Sequence, residues 1–448
     1  MKKVITYGTF DLFHEGHRRL LERAKALGDY LIVGVTTEQF DIQRGKVNVM
    51  DSLMRRIDNV RNSGFADEVI IEETEGQKIS DIQKYTADIF AVGSDWLGKF
   101  DYIKKYCEVV YIERTKDVSS TNLRESQYGI VPLGVVGSGR IAGRIMEEIR
   151  LVSGVNVMAV YGPHIENVKK FADEYELAFS FDDYSTFLKK VGAVYIASPH
   201  GTHYDYAHQA LAAGRHVLCE KPMVLCENEA RELFELAEDN GLVLMEAIKT
   251  AYAPAFLKLL DTAKGGRLGK IHDIEAAFTK LVPYVSGTRE YDPQVGGSFT
   301  ELGSYSLLPI IKILGTDYQE VRFEFFNDCN GVDIYSKAYF RYDECLACAK
   351  TGIGVKSEGQ LLLSGTDGYI LVKSPWWLTK TFEVCYENPN NNESFSAPFP
   401  GFGMRFEVAD FIKNIKSSPA TRNYKLTREE SIAMAGVIEK FLKARSGR

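Results

Sequence analysis

The sequence lacks the features that mark membrane and secreted proteins. No run of about eighteen apolar residues occurs in its 448 residues, so we expect no membrane span. Residues 1–5 also lack the long apolar core and the cleavage site of a secretory signal peptide. We therefore expect a cytoplasmic protein whose first residues form a strand of a domain.

The cysteines lack the pattern of a disulfide framework. There are seven, an odd number without regular spacing, which is typical of reduced thiols in a cytoplasm. Cys345 and Cys348 have CxxC spacing, but no second CxxC and no nearby histidine accompany them. Because their surroundings alternate like a strand, we predict a structural role for this pair and no structural metal site.

Positive charge is not in excess, and flexible linkers are scarce. The net charge of -7 argues against a nucleic-acid partner. The first predicted junction, "NLRESQYGIVP", contains no Gly/Ser-rich stretch. Since the chain exceeds one typical domain, we expect two or three domains held in a defined relation.

The order of apolar runs predicts α/β architecture followed by α+β architecture. Strand-like runs alternate with helical patterns twice over, which predicts parallel sheets with helices on both faces. Longer alternating stretches follow, which indicate a large and mainly antiparallel sheet. The predicted domains are a nucleotide-handling α/β domain at 1–127, a second α/β domain at 128–250, and an α+β domain at 251–448.

The stretch "GTFDLFHEGH" joins the first predicted strand to the first predicted helix. A helix start directs backbone N–H groups and positive potential toward an anion. His14 and His17 lie there and could donate hydrogen bonds to a phosphate as charge builds on it. Taken alone, two histidines at this spacing are more often surface or capping residues.

Further blocks favour the phosphate interpretation. The motif His14-Glu15-Gly16-His17 resembles the HxGH motif of the nucleotidylyltransferase superfamily, and more closely the glycerol-3-phosphate cytidylyltransferase family. "VGSDWLGKFD" and "RTKDVSST" are similar to two later blocks of that family, in the same order. The resemblance covers nearly all of residues 1–126 and implies a Rossmann-like nucleotidyltransferase domain.

The resemblance implies roles for individual residues. His14 and His17 would stabilise the transition state at the α-phosphate of CTP, and Lys46 and Arg114 would meet phosphates. The remaining implied nucleotide contacts are Gly8, Thr9, Phe10, Asp11, Asp95, Trp96, Ser119, Ser120 and Thr121. The choice of CTP as the nucleotide rests on the resemblance alone, because relatives of this fold also use ATP.

Three positions in this region leave alternatives open. Asp11 would either orient a histidine or lie near a Mg²⁺ ion bound to the triphosphate. Arg56 matches a basic position of the family, although the loop before it differs in length by one residue. Asp117 replaces a glycine of the second signature, so the turn there could have a different shape.

A dinucleotide motif opens the second half. Gly137 and Gly139 in "VVGSGRIAG" suit a tight turn and a close approach to pyrophosphate, and Ala142 suits close packing of helix on strand. Arg140 and Ile141 lie between Gly139 and Ala142 and are also expected cofactor contacts. No carboxylate follows the next strand, where Tyr161–His164 stand, and no arginine either, so NAD and NADP both stay open.

The blocks "IASPHGTHYDYAHQALAAGRHVLCEKPM" and "GGSFTELGSYSLLPIIKILG" resemble the Gfo/Idh/MocA oxidoreductase family. This resemblance spans about 130–448 and implies a Rossmann domain plus an open-faced antiparallel sheet. It places Lys221 beside the nicotinamide and the substrate carbonyl, where a buried lysine with a lowered pKa could polarise the carbonyl or relay its proton.

The same resemblance assigns the other residues of this site. Tyr305 matches an acid/base position, and Glu301 replaces the usual aspartate. The implied cofactor contacts are Ser198, Pro199, His200, His203, Glu220 and Pro222. For His203, core packing is an equally good interpretation.

Together the two resemblances predict a bifunctional enzyme. It would reduce a small keto- or aldo-sugar, phosphorylated in our favoured version, with NAD(P)H, and couple the polyol phosphate to CTP. The products would be pyrophosphate and a CDP-alditol for bacterial surface polymers, made by a homodimer. The alternatives are the reverse order of steps, an adenylyltransferase, or a transferase regulated by a non-catalytic dinucleotide-sensing half.

Overall fold

The computed structural model describes residues 1–113, 129–285 and 287–447. The chain divides into two compact units, residues 1–193 and residues 194–448. The predicted division into three domains differs from this division into two units and stays a prediction. Within the described ranges, no helix combines the length and the apolar character needed to cross a bilayer.

Unit 1 begins with a five-stranded parallel sheet of order β3-β2-β1-β4-β5. Its elements are β1 (Lys3–Gly8), α1 (Glu15–Lys25), β2 (Tyr30–Thr36), α2 (Glu38–Gln43), α3 (Leu53–Asn62), β3 (Glu68–Glu72), α4 (Gln77–Tyr85), β4 (Ile89–Gly93) and β5 (Glu108–Ile112). The strand-like runs "KKVITYG", "YLIVGVTT", "DEVIIEE", "DIFAVGS" and "CEVVYIE" predict five strands, and β1 to β5 start and end within two residues of them.

Alternate side chains of β1 enter different cores. Val4 belongs to the cluster on one face of the sheet and Ile5 to the cluster on the other face. Apolar residues on both sides of a strand require helices on both faces, as in other parallel sheets. The chain order reverses between β1 and β4, and the carboxyl ends of such neighbouring strands form a crevice suited to ligands.

The rest of unit 1 holds the parallel run β6-β7-β8. Its elements are β6 (Val131–Val136), α5 (Arg140–Ile149), β7 (Val155–Tyr161), α6 (Ile165–Glu174), β8 (Phe179–Phe181) and α7 (Tyr184–Leu188). The sequence pattern missed β8, because three residues are too few to show an alternation. Strand β9 (Ala193–Ile196) contains the division between the units.

Unit 2 continues with the run β11-β10-β9 and then forms an eight-stranded sheet of order β13-β14-β15-β12-β16-β17-β18-β19. Its elements are α8 (His203–Ala212), β10 (His216–Glu220), α9 (Glu227–Asp239), β11 (Leu244–Ala247), α10 (Pro254–Lys264), β12 (Ile271–Thr279), α11 (Ser298–Leu314), β13 (Glu320–Asn327), β14 (Asp333–Arg341), β15 (Leu346–Gly352), β16 (Leu361–Gly365), β17 (Gly368–Val372), β18 (Thr381–Tyr386), β19 (Glu393–Ser396), α12 (Met404–Lys416) and α13 (Arg428–Arg445).

The large sheet is antiparallel except where β12 pairs with β15. This mainly antiparallel pairing matches the prediction made from the alternating stretches. Cys348 lies in β15, and Cys345 is buried just before that strand. Both thiols are free, and the structural role of the CxxC pair stays a prediction.

Helix α11 is buried along nearly its whole length because it packs on β12, β14 and β15 and against α13. Asp333 fixes its start: Oδ2 accepts hydrogen bonds from the Ser298 hydroxyl and the Phe299 N–H, both at 2.8 Å. Arg445 pairs with the same carboxylate at 2.8 Å. A carboxylate at a helix N-terminus is favourable, and this one holds the turn that carries Glu301 and Tyr305.

Candidate active sites

The loop between β1 and α1 has an unusual backbone. Phe10 and Leu12 adopt left-handed conformations, with φ of 54° and 46°, which are uncommon outside glycine and are found at functional sites. The buried Asp11 carboxylate between them accepts hydrogen bonds from the N–H groups of Met50 (3.0 Å) and Asp51 (2.7 Å). These bonds tie the loop to the segment before α3.

The glycine between the two histidines has a steric role. His14 is the N-cap of α1, and its Nδ1 accepts a hydrogen bond from the Gly16 N–H at 3.0 Å. A Cβ at position 16 would lie only 2.8 Å from Cε1 of that ring, so a side chain there would push the imidazole away. Because Nδ1 accepts, the neutral His14 ring carries its proton on Nε2 and can donate it elsewhere.

The structure brings the two predicted histidines together. Their ring centroids lie 4.0 Å apart, and the His17 ring also packs against Phe10 at 5.5 Å and Phe13 at 5.6 Å. Both imidazoles lie at the positive end of α1. The arrangement supplies hydrogen-bond donors and positive potential where an anion would bind.

A second loop carries basic residues beside Thr9. Arg44, which the sequence analysis did not single out, donates from Nη2 to Thr9 Oγ1 at 2.7 Å and to Asp41 Oδ1 at 2.6 Å. Lys46 follows in the same loop and is half-buried. Desolvation lowers the pKa of the Lys46 ammonium to about 8, with Arg44 acting in the same direction and Asp41 opposing it. Such a group gains a proton more readily when an anion binds next to it.

Arg56 holds loops in place. It is fully buried, and its guanidinium donates to the carbonyl oxygens of Thr9 (2.9 Å), Thr36 (2.8 Å) and Asp51 (3.1 Å). These carbonyls belong to segments that surround the nucleotide motif. The sequence pattern could show that a basic residue stands here but not which carbonyls it would meet.

The residues after β4 complete this sheet edge. Asp95 and Trp96 lie in a 3-10 turn, Ser94–Trp96, directly after the strand. Trp96 packs against Phe100 at 6.0 Å between ring centroids, and the Lys99 ammonium lies 5.5 Å from the Trp96 ring. Since β1 and β4 are neighbours, these residues leave the sheet at the same edge as Gly8–Phe10. The predicted contacts Arg114, Ser119, Ser120 and Thr121 lie outside the described residues.

The predicted dinucleotide turn has the expected geometry. Gly137 adopts φ of 103° and donates its N–H to Tyr161 O at 2.8 Å. Gly139 is the N-cap of α5, and a Cβ built there would meet no atom within 4 Å. Arg140 and Ile141 are the first residues of this helix, and the next residue, Ala142, is fully buried. A turn with open space before a helix start fits the pyrophosphate of a dinucleotide.

In unit 2, Lys221 lies against α11. Its Nζ donates to Glu301 O at 2.8 Å and lies 5.4 Å from the centroid of the Tyr305 ring. The structure thus brings together three residues that the sequence placed in two distant blocks. Glu220, the residue before the lysine, accepts from Tyr195 OH at 2.5 Å and from the Lys221 N–H at 3.2 Å.

Two buried histidines border this cluster. His203 is fully buried, and its ring nitrogens lie 2.9 Å from Pro222 O and 2.9 Å from Ser198 O. It therefore ties the segment that begins with Ser198 and Pro199 to the segment around Lys221. The His200 Nδ1 lies 3.7 Å from Glu301 Oε1. Burial lowers the pKa of His200 well below its ordinary value, and the charge of Lys221 adds to this effect, so the ring is neutral at pH 7.

Two more cations stand at this site. Arg289 pairs with Glu301 Oε2 at 3.1 Å. Lys249, which the sequence analysis missed, places Nζ 5.9 Å from the Tyr305 ring and 5.7 Å from the Phe402 ring. Its position after β11, where a strand ends next to the family motifs, is the one sequence signal that could have pointed to it.

Comparisons with known proteins match two regions of the chain to two different families. Residues 5–126 match the family model described as cytidylyltransferase-like. The glycerol-3-phosphate cytidylyltransferase of Bacillus spizizenii is 54% identical over 125 residues, which are 28% of this chain and 96% of the relative. Through its N-terminal region, the chain belongs to the glycerol-3-phosphate cytidylyltransferase family. The enzyme of the same name from Bacillus subtilis is 48% identical over 130 residues, 29% of this chain and all of the relative.

The second region matches another family. Residues 131–248 match the model described as oxidoreductase family, NAD-binding Rossmann fold. A scyllo-inositol 2-dehydrogenase (NADP(+)) of Bacillus subtilis is 26% identical over 323 residues, 70% of this chain and 97% of the relative. A crystal structure of a 3-ketoreductase from Actinomadura kijaniata has the same fold, with a TM-score of 0.61, 22% identity, and coverage of 69% of this chain and 96% of that chain.

These matches confirm three sequence predictions. The chain is a fusion of a cytidylyltransferase-like region and a Gfo/Idh/MocA-type region. Its fold class is α/β followed by a large, mainly antiparallel sheet. It is an enzyme with a nucleotidyltransferase part and an NAD(P)-dependent oxidoreductase part.

Proposed function

We propose that this chain makes a CDP-alditol in two steps. The oxidoreductase part reduces the carbonyl of a small sugar phosphate, and the transferase part couples the resulting polyol phosphate to CTP. The observation that carries the proposal is the presence of two built sites on one chain: the paired imidazoles of His14 and His17, and the cluster of Lys221, Glu301 and Tyr305.

In the transfer step, a phosphate oxygen of the polyol phosphate attacks the α-phosphorus of CTP. The new P–O bond forms as the bond to the β-phosphate breaks, and pyrophosphate leaves. Imidazole N–H groups of His14 and His17 stabilise the charge that builds on the α-phosphate, and Lys46 binds the departing phosphates.

The Mg²⁺ of this step is proposed to arrive bound to the triphosphate. Both Asp11 oxygens accept backbone N–H groups, at 2.7–3.0 Å, and the side chain is buried. Asp11 therefore does not fit as a ligand of the ion. Its proposed task is to hold the loop that carries the histidines against the segment at 50–51.

Reduction of a carbonyl needs a hydride at its carbon, which bound NAD(P)H would supply, and a proton at its oxygen. Lys221 and Tyr305 are the proposed source of that proton, because the ammonium lies over the phenol ring. The dinucleotide supplies only the hydride. NADP is favoured because Tyr161–His164 contain no carboxylate that would repel a 2′-phosphate, and the Bacillus subtilis relative is named as an NADP(+) enzyme.

The charges of the second site favour a phosphorylated sugar. Arg289 is already paired with Glu301, but Lys221 and Lys249 bring further positive charge to the part of α11 that carries Tyr305. An anionic substrate would compensate that charge. The product would donate polyol phosphates to bacterial surface polymers, made in the cytoplasm by a homodimer.

The test of the transferase assignment compares pyrophosphate release from CTP and from ATP across a panel of polyol phosphates. Preference for CTP with one polyol phosphate supports the proposal, and preference for ATP contradicts it. The sensor alternative is tested on the same protein with candidate sugars and NAD(P)H. Tight cofactor binding without oxidation of NAD(P)H by any sugar would favour the sensor.

Gly16→Ala is expected to lower cytidylyl transfer at least about tenfold. The new Cβ would lie 2.8 Å from Cε1 and 3.0 Å from Nδ1 of His14, so the ring must leave its place and α1 loses its cap, at a cost of about 1 kcal/mol. Pyrophosphate release measures the effect. Glu22→Ala, an exposed change on the same helix, should alter it little; equal rates for both variants would contradict the steric role of Gly16.

The KM for CTP is expected to rise as the pH increases through about 8. Lys46 carries its charge below the pKa of about 8 and loses it above, so its attraction for the triphosphate is present at low pH and lost at high pH. Steady-state kinetics from pH 6 to 10 in the wild type and in Lys46→Arg measure this dependence. The arginine stays charged, so its profile should be flat over that range; a rise of the same size in both proteins would contradict the assignment.

A further inference from the structure

Two nucleotide-binding loops of the transferase region are held by residues that lie beyond it in the sequence. In the first loop, the Val47 N–H donates to Leu151 O at 2.8 Å, and the Ser153 N–H donates to Val47 O at 3.1 Å. The two bonds form a parallel β-bridge between Val47 and Val152. Val47 directly follows Lys46, so the bridge sits next to the proposed phosphate-binding ammonium.

The second loop is held in the same way. Arg150 donates from Nη1 to Asp95 O at 2.8 Å, and the Ser94 hydroxyl donates to Glu176 Oε2 at 2.8 Å. Asp95 and its neighbour Trp96 belong to the 3-10 turn at the end of β4. All of these residues lie within unit 1.

The Lys46 loop depends on outside contacts for its shape. Gly45 and Asn48 adopt left-handed conformations, with φ of 82° and 62°, and the segment between them belongs to no helix or strand of its own. A loop of this kind keeps one conformation only when surrounding groups determine it. The bridge to Val152 supplies two of those bonds, and the Lys46 N–H bond to Asp41 O, at 2.8 Å, supplies another.

We propose that residues Arg150–Ser153 are positioning residues for cytidylyl transfer. They follow α5, in the region that matches the oxidoreductase family, and they fix the Lys46 loop and the Asp95 turn around the nucleotide. This inference rests on the proposed cytidylyltransferase function. It adds that the transferase site of this chain is completed by backbone and side-chain groups from the other family region, some as donors and some as acceptors.

Helix α5 links this contact to the dinucleotide turn. The helix begins after Gly139 and ends at Ile149, one residue before Arg150, and its ten residues span about 15 Å. The same short helix thus carries the proposed pyrophosphate site at its start and the transferase contacts just beyond its end. A transferase region separated from this helix would lack the bonds that shape its phosphate loop.

The test uses full-length protein and two substitutions that remove a single donor each. Ser153→Pro deletes the N–H that binds Val47 O, while Ser153→Ala keeps that N–H and is the matched control. Arg150→Ala deletes the bond to Asp95 O. We expect Ser153→Pro and Arg150→Ala each to raise the KM for CTP about fivefold to tenfold, with NAD(P)H-dependent reduction changed less than about twofold.

The pH profile separates positioning from general damage. If Ser153→Pro loosens the Lys46 loop, the ammonium becomes more hydrated, and the rise of KM for CTP should move to a higher pH than in wild type. A wild-type KM and pH profile in folded Ser153→Pro, or an equal change in Ser153→Ala, would overturn the proposal. Should Ser153→Pro fail to fold, Arg150→Ala decides: an unchanged KM overturns the proposal. If the proposed cytidylyltransferase function is itself wrong, the result is different, because the wild-type protein then releases no pyrophosphate from CTP.

Discussion

Lys221→Ala is expected to lower NAD(P)H-dependent reduction by at least about a hundredfold, since general acid catalysis contributes about 10²–10⁴ in rate. The ammonium donates to Glu301 O at 2.8 Å and lies 5.4 Å from the Tyr305 ring. Its removal takes away the proposed proton source. The loss of NAD(P)H absorbance with the sugar substrate measures the rate.

Pyrophosphate release from CTP is the control for this variant and should stay within about twofold of wild type. Lys264→Ala, at the exposed end of α10, is the matched lysine control and should change neither reaction. If Lys221→Ala folds with the wild-type unfolding midpoint and still reduces sugar at the wild-type rate, the proposed proton source is wrong. Loss of both activities would contradict two independent sites.

His17→Ala is expected to lower cytidylyl transfer by about 10²–10³, the range found when one donor to a developing oxyanion is removed. The His17 ring lies 4.0 Å from the His14 ring at the start of α1, so the variant leaves one imidazole where two are needed. Pyrophosphate release from CTP measures the rate.

Reduction of the sugar should be unaffected by His17→Ala. His208→Ala provides a matched histidine control, because this side chain lies on the surface beside Glu232, at 3.7 Å, outside both sites. If His17→Ala transfers the cytidylyl group at the wild-type rate, the proposed role of the histidine pair is wrong. Equal losses in His17→Ala and His208→Ala would point to a general effect on the protein.

The sequence predicted the elements well where they follow from periodicity. Each of β1 to β5 was visible as a short apolar run, because a strand covered on both faces must be apolar throughout. The segments "MRFEVADFIKNIK" and "TREESIAMAGVIEKFLKA" predict helices α12 and α13 by their amphipathic pattern. The short β8 was missed, because three residues carry no period.

The two sites were predictable in part. Motif blocks located His14, His17, Lys221 and Tyr305, because each of these residues lies in a contiguous stretch that resembles a known family. The tasks of Gly16 and Asp11 needed coordinates, since they depend on a ring placed 2.8 Å away and on amides some forty residues distant.

Long-range partners had no signal in the sequence at all. The Arg150 bond to Asp95 O joins residues that are 55 positions apart, and the acceptor is a backbone carbonyl that any residue could provide. Arg44 and Lys249 were missed for a related reason. A single basic residue in a loop gives no indication of which ring or hydroxyl it will contact.

The central claim is that one chain reduces a sugar phosphate and then activates the product with CTP. The most direct test is mass spectrometry of the products formed from CTP, a pool of ketose and aldose phosphates, and NAD(P)H that carries deuterium at its transferable position. The account predicts a CDP-linked polyol that is one mass unit heavier than the product made with unlabelled cofactor. A CDP-linked product without deuterium, formed while NAD(P)H is consumed, would contradict it.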